Sequence, residues 1–173
     1  MRYDLVPDPA MAPTVGLLHA MLEDAHGRLR ELVGDMAQEE YDYKGPSGQL
    51  NSASQLVRHL VYVDIRWLYR IRGESIPPAV EARFGPFRDE QGRLPASRGR
   101  SPAEMLAEYG EVKEQLRAAC RGLTDGDLDR RYIVSNGAEV TLRWGLWHLG
   151  DHNLFHQGQI TWLKSWARGR LAP

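Results

Sequence analysis

The sequence predicts an all-α fold, a four-helix bundle carrying one small β-hairpin, and three observations lead to it. Four stretches repeat apolar residues at spacings of three and four, the period of a helix with one buried face. Between the second and third of them, residues 74 to 100 hold Pro77, Pro78, Pro86 and Pro95 and show no sustained period. Just before the fourth, residues alternate around Asn136-Gly137, a strong hairpin signal. With 173 residues, 42% hydrophobic and 26% charged, the chain reads as one domain over residues 1–173, long enough to bury a core.

Residues 1–13 read as an N-terminal arm broken by Pro7, Pro9 and Pro13. Thr14 is the expected N-cap of the first helix, whose stripe is Val15, Leu18, Leu22, Ala25, Leu29 and Leu32, ending at Gly34. After the turn residues 43–48, the second helix runs from about Ser52 to Arg72 and stops at Gly73. An antiparallel pair needs only a short connection, whereas returning to the starting end of a ~30 Å helix needs many residues. The long interval 74–100 therefore predicts that the second and third helices run parallel, across an unstructured crossover. Ser101, Pro102 and Glu104 open the third helix as N-cap, first helical residue and capping-box partner. Its stripe is Met105, Leu106, Tyr109, Val112, Leu116 and Ala119, up to Gly122. Thr124 to Asp129 forms a capped turn, 131–142 the hairpin, and the fourth helix continues to about Ala167 before Gly169.

Several functions are disfavoured by composition. Lys plus Arg is 22 and Asp plus Glu is 23, and no basic block stands apart, so nucleic acid has no electrostatic footprint. The single cysteine, Cys120, excludes an internal disulfide and a zinc-thiolate site, and it is expected to serve packing. A reducing, cytoplasmic compartment fits. The opening MRYDLVPDPAMAP has charges and prolines where a secretory signal has an apolar core, and no window approaches the ~20 apolar residues of a membrane span.

The chemistry concentrates in the fourth helix, where His148, His152 and His156 follow one another at intervals of four. That spacing puts all three on one helical face, a candidate metal face. A shell needs a donor from elsewhere, and His59, on the stripe Leu56, His59, Leu60 and Val63 of the second helix, is the obvious one. Three residues four apart span about 12 Å, too far for one ion, so His148 is expected to support the site or to be hydrogen bonded in the core. Gln159 and Tyr62, one turn from His156 and His59, are candidates to line the pocket or orient ligands. Trp67, Trp144, Trp147 and Trp162 are expected in the core, with a pocket wall as the alternative. Glu23 and His26 make a Glu-x-x-His, but the fourth helix has no glutamate to build a di-metal centre around it. His152 to His156 also lacks the glutamate that HExxH proteases place beside the metal.

A helix-two histidine combined with His152-Asn153-Leu154-Phe155-His156-Gln157-Gly158-Gln159-Ile160 resembles the DinB/YfiT-like superfamily of metalloenzymes. The likeness covers nearly the whole chain in helix order and length, while only these two patches carry specific motifs. It implies an up-down-down-up bundle, a homodimer, and a divalent metal held by His59, His152 and His156. Where the family usually has Arg after the last ligand, this chain has Gln157, at a position expected to point away from the metal. The family includes transferases and isomerases that use small thiols such as bacillithiol, mycothiol or glutathione, and also hydrolases. The expected cofactor is thus one divalent ion, Zn, Ni, Fe or Mn, in a three-histidine site with an open water position. A small molecule, such as a low-molecular-weight thiol, is the expected partner. The expected nucleophile is the water on that ion or a thiolate replacing it, because no serine or cysteine falls in a nucleophile motif. A non-catalytic metal-binding or stress-response protein is the alternative.

Overall fold

All four predicted helices form, and two short ones join them. The computed structural model describes residues 4–97 and 99–170, so residues 1–3 of the expected arm lie outside the described part. In chain order the elements are α1 (Pro13–Val33), α2 (Gln38–Tyr41), α3 (Ala53–Arg72), α4 (Pro78–Phe84), α5 (Pro102–Arg121), a 3₁₀ turn (Asp125–Asp129), β1 (Arg131–Ile133), β2 (Glu139–Thr141) and α6 (Leu142–Ala167). The fold is mostly helical with one small antiparallel hairpin.

Local cap chemistry sets most boundaries. At the start of α3 the Ser52 hydroxyl accepts the Gln55 N–H (3.3 Å) while the Gln55 side chain accepts the Ser52 N–H (3.0 Å). The helix closes at Gly73, whose φ of 69° is the left-handed conformation glycine adopts without penalty. Ser101 and Glu104 repeat the reciprocal pair at α5, with Pro102 in the first turn.

The start of α1 differs from expectation. Pro13 is already helical, Ala12 offers no side-chain cap, and Thr14 is not the N-cap. Proline suits that position because its missing N–H would be unsatisfied there anyway. The free N–H groups of Thr14 and Val15 donate instead to the Asp125 carboxylate, at 3.0 and 3.1 Å, from the 3₁₀ turn. The interval 74–100 is not wholly irregular either, since α4 interrupts it and buries Phe84. Seven residues are too few to display a helical period.

β1 pairs with β2 in the register Arg131↔Thr141, Tyr132↔Val140, Ile133↔Glu139. Its turn runs from Val134 to Gly137, closed by the Gly137 N–H on the Val134 carbonyl (2.9 Å), with Gly137 at φ 83°. Asn136 and Gly137 thus mark the hairpin without being its two central residues.

Helix α1 packs on α6 and α5, and α3 on α5 and α6. Gln157 and Lys164 of α6 donate to the Ala25 and Leu32 carbonyls of α1 at 2.7 and 2.6 Å. Tyr109 and Gln115 of α5 meet Asp64 and Arg72 of α3 at 2.9 and 3.5 Å. One half of the core gathers Leu29, Val33, Leu56, Leu60, Met105 and Ile160, the other Val15, Leu22, Leu68, Leu116, Leu146 and Leu149. Buried Cys120 belongs to the second, and burial pushes its thiol up to about 12.

Of the tryptophans expected inside, Trp67 is buried against α6, where Gly145 leaves room for its ring. Trp144, Trp147 and Trp162 are instead 37, 43 and 56% exposed. Helix α6 is rich in apolar residues all round, so its pattern does not mark the inward face. Among the described residues no helix is long and apolar enough to cross a membrane.

Candidate metal centre

The contact between α3 and α6 brings His59 onto the paired histidines one turn apart on α6. His152 Nε2 lies 3.3 Å from His59 Nε2 and 3.0 Å from His156 Nε2. The His59 ring stands at 68° to His152 and 88° to His156, and those two at 86° to each other. The Nε2 separations bring the ring nitrogens toward one focus. One ring nitrogen from each lies within 4.8 Å of the others, the one such His, Cys, Asp or Glu group among the described residues.

A metal ion fits this focus better than hydrogen bonding does. A neutral imidazole nitrogen carries one in-plane proton or one in-plane lone pair, so His152 Nε2 cannot bond well to two neighbours at once. Ligands about 2.1 Å from one ion at tetrahedral or octahedral angles sit roughly 3.0–3.4 Å apart, the range of the two separations found.

The electrostatics point the same way. Burial holds His59 down at about 3, reinforced by His152 and His156, and burial with His156 and His148 does the same to His152. Burial also lowers His156. All three are neutral near pH 7, the state a metal requires. His156 Nδ1 lies 2.7 Å from the Gln159 side-chain oxygen, which fixes the proton on Nδ1 and leaves the Nε2 lone pair facing the focus. Nδ1 of His59 and of His152 is buried with no hydrogen-bond partner among the described residues.

The other expected residues separate into distinct places. His148 stacks on Trp144, centroids 4.4 Å apart and planes within 17°, and is outside the close group of nitrogens. Its pKa is lowered by burial. Tyr62 donates a short hydrogen bond to Glu81, pinning α4 to α3, and burial followed by this bond raises its pKa. Beyond α4, Phe87 packs on His59 (5.1 Å) and on Tyr62 (6.5 Å), so the segment between α4 and α5 covers one side of the histidines. Nothing in the pattern of residues 74–100 singles Phe87 out.

A cavity of about 380 Å³ opens beside the focus, lined by His148, His152, Trp144, Phe87, Arg66 and Arg70, with Ser135 and Asn136 of the hairpin turn at its edge. A second, of about 460 Å³, lies by Gln159, Trp162 and Leu56.

Behind the histidines runs a buried polar chain that sequence reasoning missed. Asp64 accepts from Tyr109 (2.9 Å) and lies 3.0 Å from His26 Nε2. Asn153 donates to the Tyr109 oxygen (3.3 Å), and Gln157 donates to Asn153 and to the Ala25 carbonyl, both at 2.7 Å. His26 of the Glu-x-x-His therefore pairs with Asp64, while Glu23 is 3.6 Å from its other nitrogen. Gln157, expected to point away from the metal, is buried between α1 and α6, where its side chain donates to the Ala25 carbonyl.

The sequence profile of the DinB superfamily matches residues 21–160, a span that includes all three converging histidines. The uncharacterized protein YkkA of Bacillus subtilis strain 168 is 41% identical over 155 residues, 89% of this chain and 88% of that protein. Among solved structures, a conserved protein from Enterococcus faecalis superposes with a TM-score of 0.69 over 92% of this chain and 99% of its own. At 15% identity that likeness is one of fold.

Proposed function

The chain belongs to the DinB superfamily, and from that membership together with the histidine focus we propose that it is a metal-dependent enzyme. The observation that carries the reading is the pair of Nε2 contacts at 3.0 and 3.3 Å around His152, which hydrogen bonding does not satisfy and a shared ion does. His59, His152 and His156 are the proposed ligands, and three nitrogens accept Zn, Ni, Fe or Mn. Such an ion supplies a Lewis acid that polarises an oxygen or sulfur donor. The protein's part is to keep three imidazoles neutral, to fix His156 through Gln159, and to exclude water on one flank with Phe87.

Catalysis is favoured over storage by two features. Among the described residues no fourth His, Cys or carboxylate joins the group, and a cavity adjoins it. The reaction class is thiol-dependent transfer or isomerisation, or hydrolysis, on a small molecule. Cys120, buried and held up at about 12, takes no part as a nucleophile. The long helices are proposed as an up-down-down-up bundle, supported by the order of the paired contacts: Asp64–Tyr109 then Arg72–Gln115, and Ala25–Gln157 then Leu32–Lys164.

Elemental analysis of the purified chain tests the reading. About one divalent ion per chain is expected, falling by more than half in His59→Ala, His152→Ala or His156→Ala and staying in His148→Ala. Full metal content in folded His59→Ala overturns the three-ligand site. Screening small-thiol conjugation and ester hydrolysis with and without chelator then addresses the reaction.

A further inference from the structure

We propose that the cavity beside the histidine focus receives a small oxyanion, a carboxylate or phosphoryl group on an apolar or aromatic body, gripped by Arg66 and Arg70. This rests on the proposed function only in saying which substrates reach the site. Arg66 and Arg70 follow His59 by seven and eleven residues, so helical geometry brings them onto nearly the same face of α3. Both line the cavity that His152 also lines.

The charge there is one-sided. No aspartate or glutamate lines the cavity, and neither arginine has a carboxylate partner among the described residues. Other arginines of the chain do: Arg83 and Arg100 on Glu108, Arg117 on Asp8, Arg168 on Glu40. Arg70 is partly buried, and burial followed by the charge of Arg66 disfavours its protonated form. Two guanidiniums one turn apart in a half-closed cleft repel each other, and a bound anion relieves the repulsion.

The forks are also held in place. The Arg66 guanidinium lies 4.7 Å from the Phe87 ring centre and that of Arg70 lies 5.0 Å from Trp67. Stacking on an aromatic face leaves the N–H edge free and oriented, the arrangement that suits bidentate binding of a carboxylate or phosphoryl group. Phe87, Trp144 and Val63 supply an apolar wall for the rest of the ligand.

The test is calorimetric titration of the full chain at low ionic strength with phenyl phosphate, benzoate and neutral benzamide, on zinc-loaded and on chelator-treated protein. At least one of the two anions is expected to bind in both states. Binding should weaken by about tenfold or more in Arg66→Gln and Arg70→Gln, as loss of a charge-assisted hydrogen bond implies. Lysine at either position should recover only part of it. Benzamide should bind weakly and be indifferent to both substitutions. The stronger of phenyl phosphate and benzoate identifies the oxyanion. Anion binding that is absent, unchanged in both glutamine variants, or lost on chelation overturns the inference. Arginine-dependent binding in a chain that takes up no metal sustains it and sinks the metal reading alone.

Discussion

The buried imidazoles of the histidine focus and the buried imidazole of His26 are driven in opposite directions. Burial lowers the pKa of His59 and His152 to about 3, since the nearby groups are other histidines and arginines. Burial acts downward on His26 as well, but its hydrogen bond with Asp64 and the nearby Glu23 carboxylate outweigh it and raise the pKa above 6.5. A raised pKa in the folded state means that protonated His26 stabilises the fold fully below about 6.5 and that this contribution is lost as pH rises through the folded value. In chelated protein the urea midpoint should therefore decline from pH 6.5 toward 9, and His26→Gln should remove that decline. A wild-type midpoint that is level over this range counts against a charged His26. His152, His156 and Gln159 are legible in sequence because helical spacing places them on neighbouring turns, and His59 because it interrupts an apolar stripe in the helix that the family resemblance singles out. Asp64, Tyr109 and Asn153 are not, because each acquires its meaning from a partner on another helix, 44 or 45 residues away for Tyr109.

Helix α6 is positioned by an absence of side chain. A Cβ built on Gly145 would lie 2.1 Å from the Trp67 ring, too close for any adjustment short of moving the helix or the indole. Gly145→Ala should cost about 1–3 kcal/mol in urea unfolding, as overpacking of a filled core does. Gly150→Ala is the control: its Cβ would meet Leu22 backbone at 3.9 Å, ordinary contact, and alanine's better helix propensity should make the change neutral or mildly stabilising. Equal costs for the two would refute the packing argument. Boundaries were legible where the cap is local, as at Ser52, Gly73 and Ser101. They were not where the cap comes from afar, as Asp125 does for α1, or where the helix is as short as α2 and α4. Nor did sequence tell that three tryptophans of α6 face outward, because large apolar residues occur all round that helix and leave little directional pattern.

Across the whole molecule, the histidine focus joins α3 to α6, so a bound ion acts on global stability as a ligand specific to the folded state. At a free metal concentration a hundredfold above Kd the gain is about 2.7 kcal/mol, or roughly 5–11 °C in Tm for a chain of this size. Chelation should lower Tm by that order in the wild type and leave His152→Asn unmoved. A wild-type Tm insensitive to chelator at that saturation would rule out metal held between the two helices. The mostly helical architecture and the hairpin were readable because they depend on period and turn chemistry; which faces meet was not, because it depends on pairings such as Trp67 with Gly145. The separation of the ligands has a consequence for a chain still being synthesised. His152 follows His59 by 93 residues, roughly 5–20 s of elongation at 5–20 residues per second. Throughout that interval the nascent chain owns one of the three proposed donors, and a passing metal ion finds no such site to be trapped in before the last helix docks.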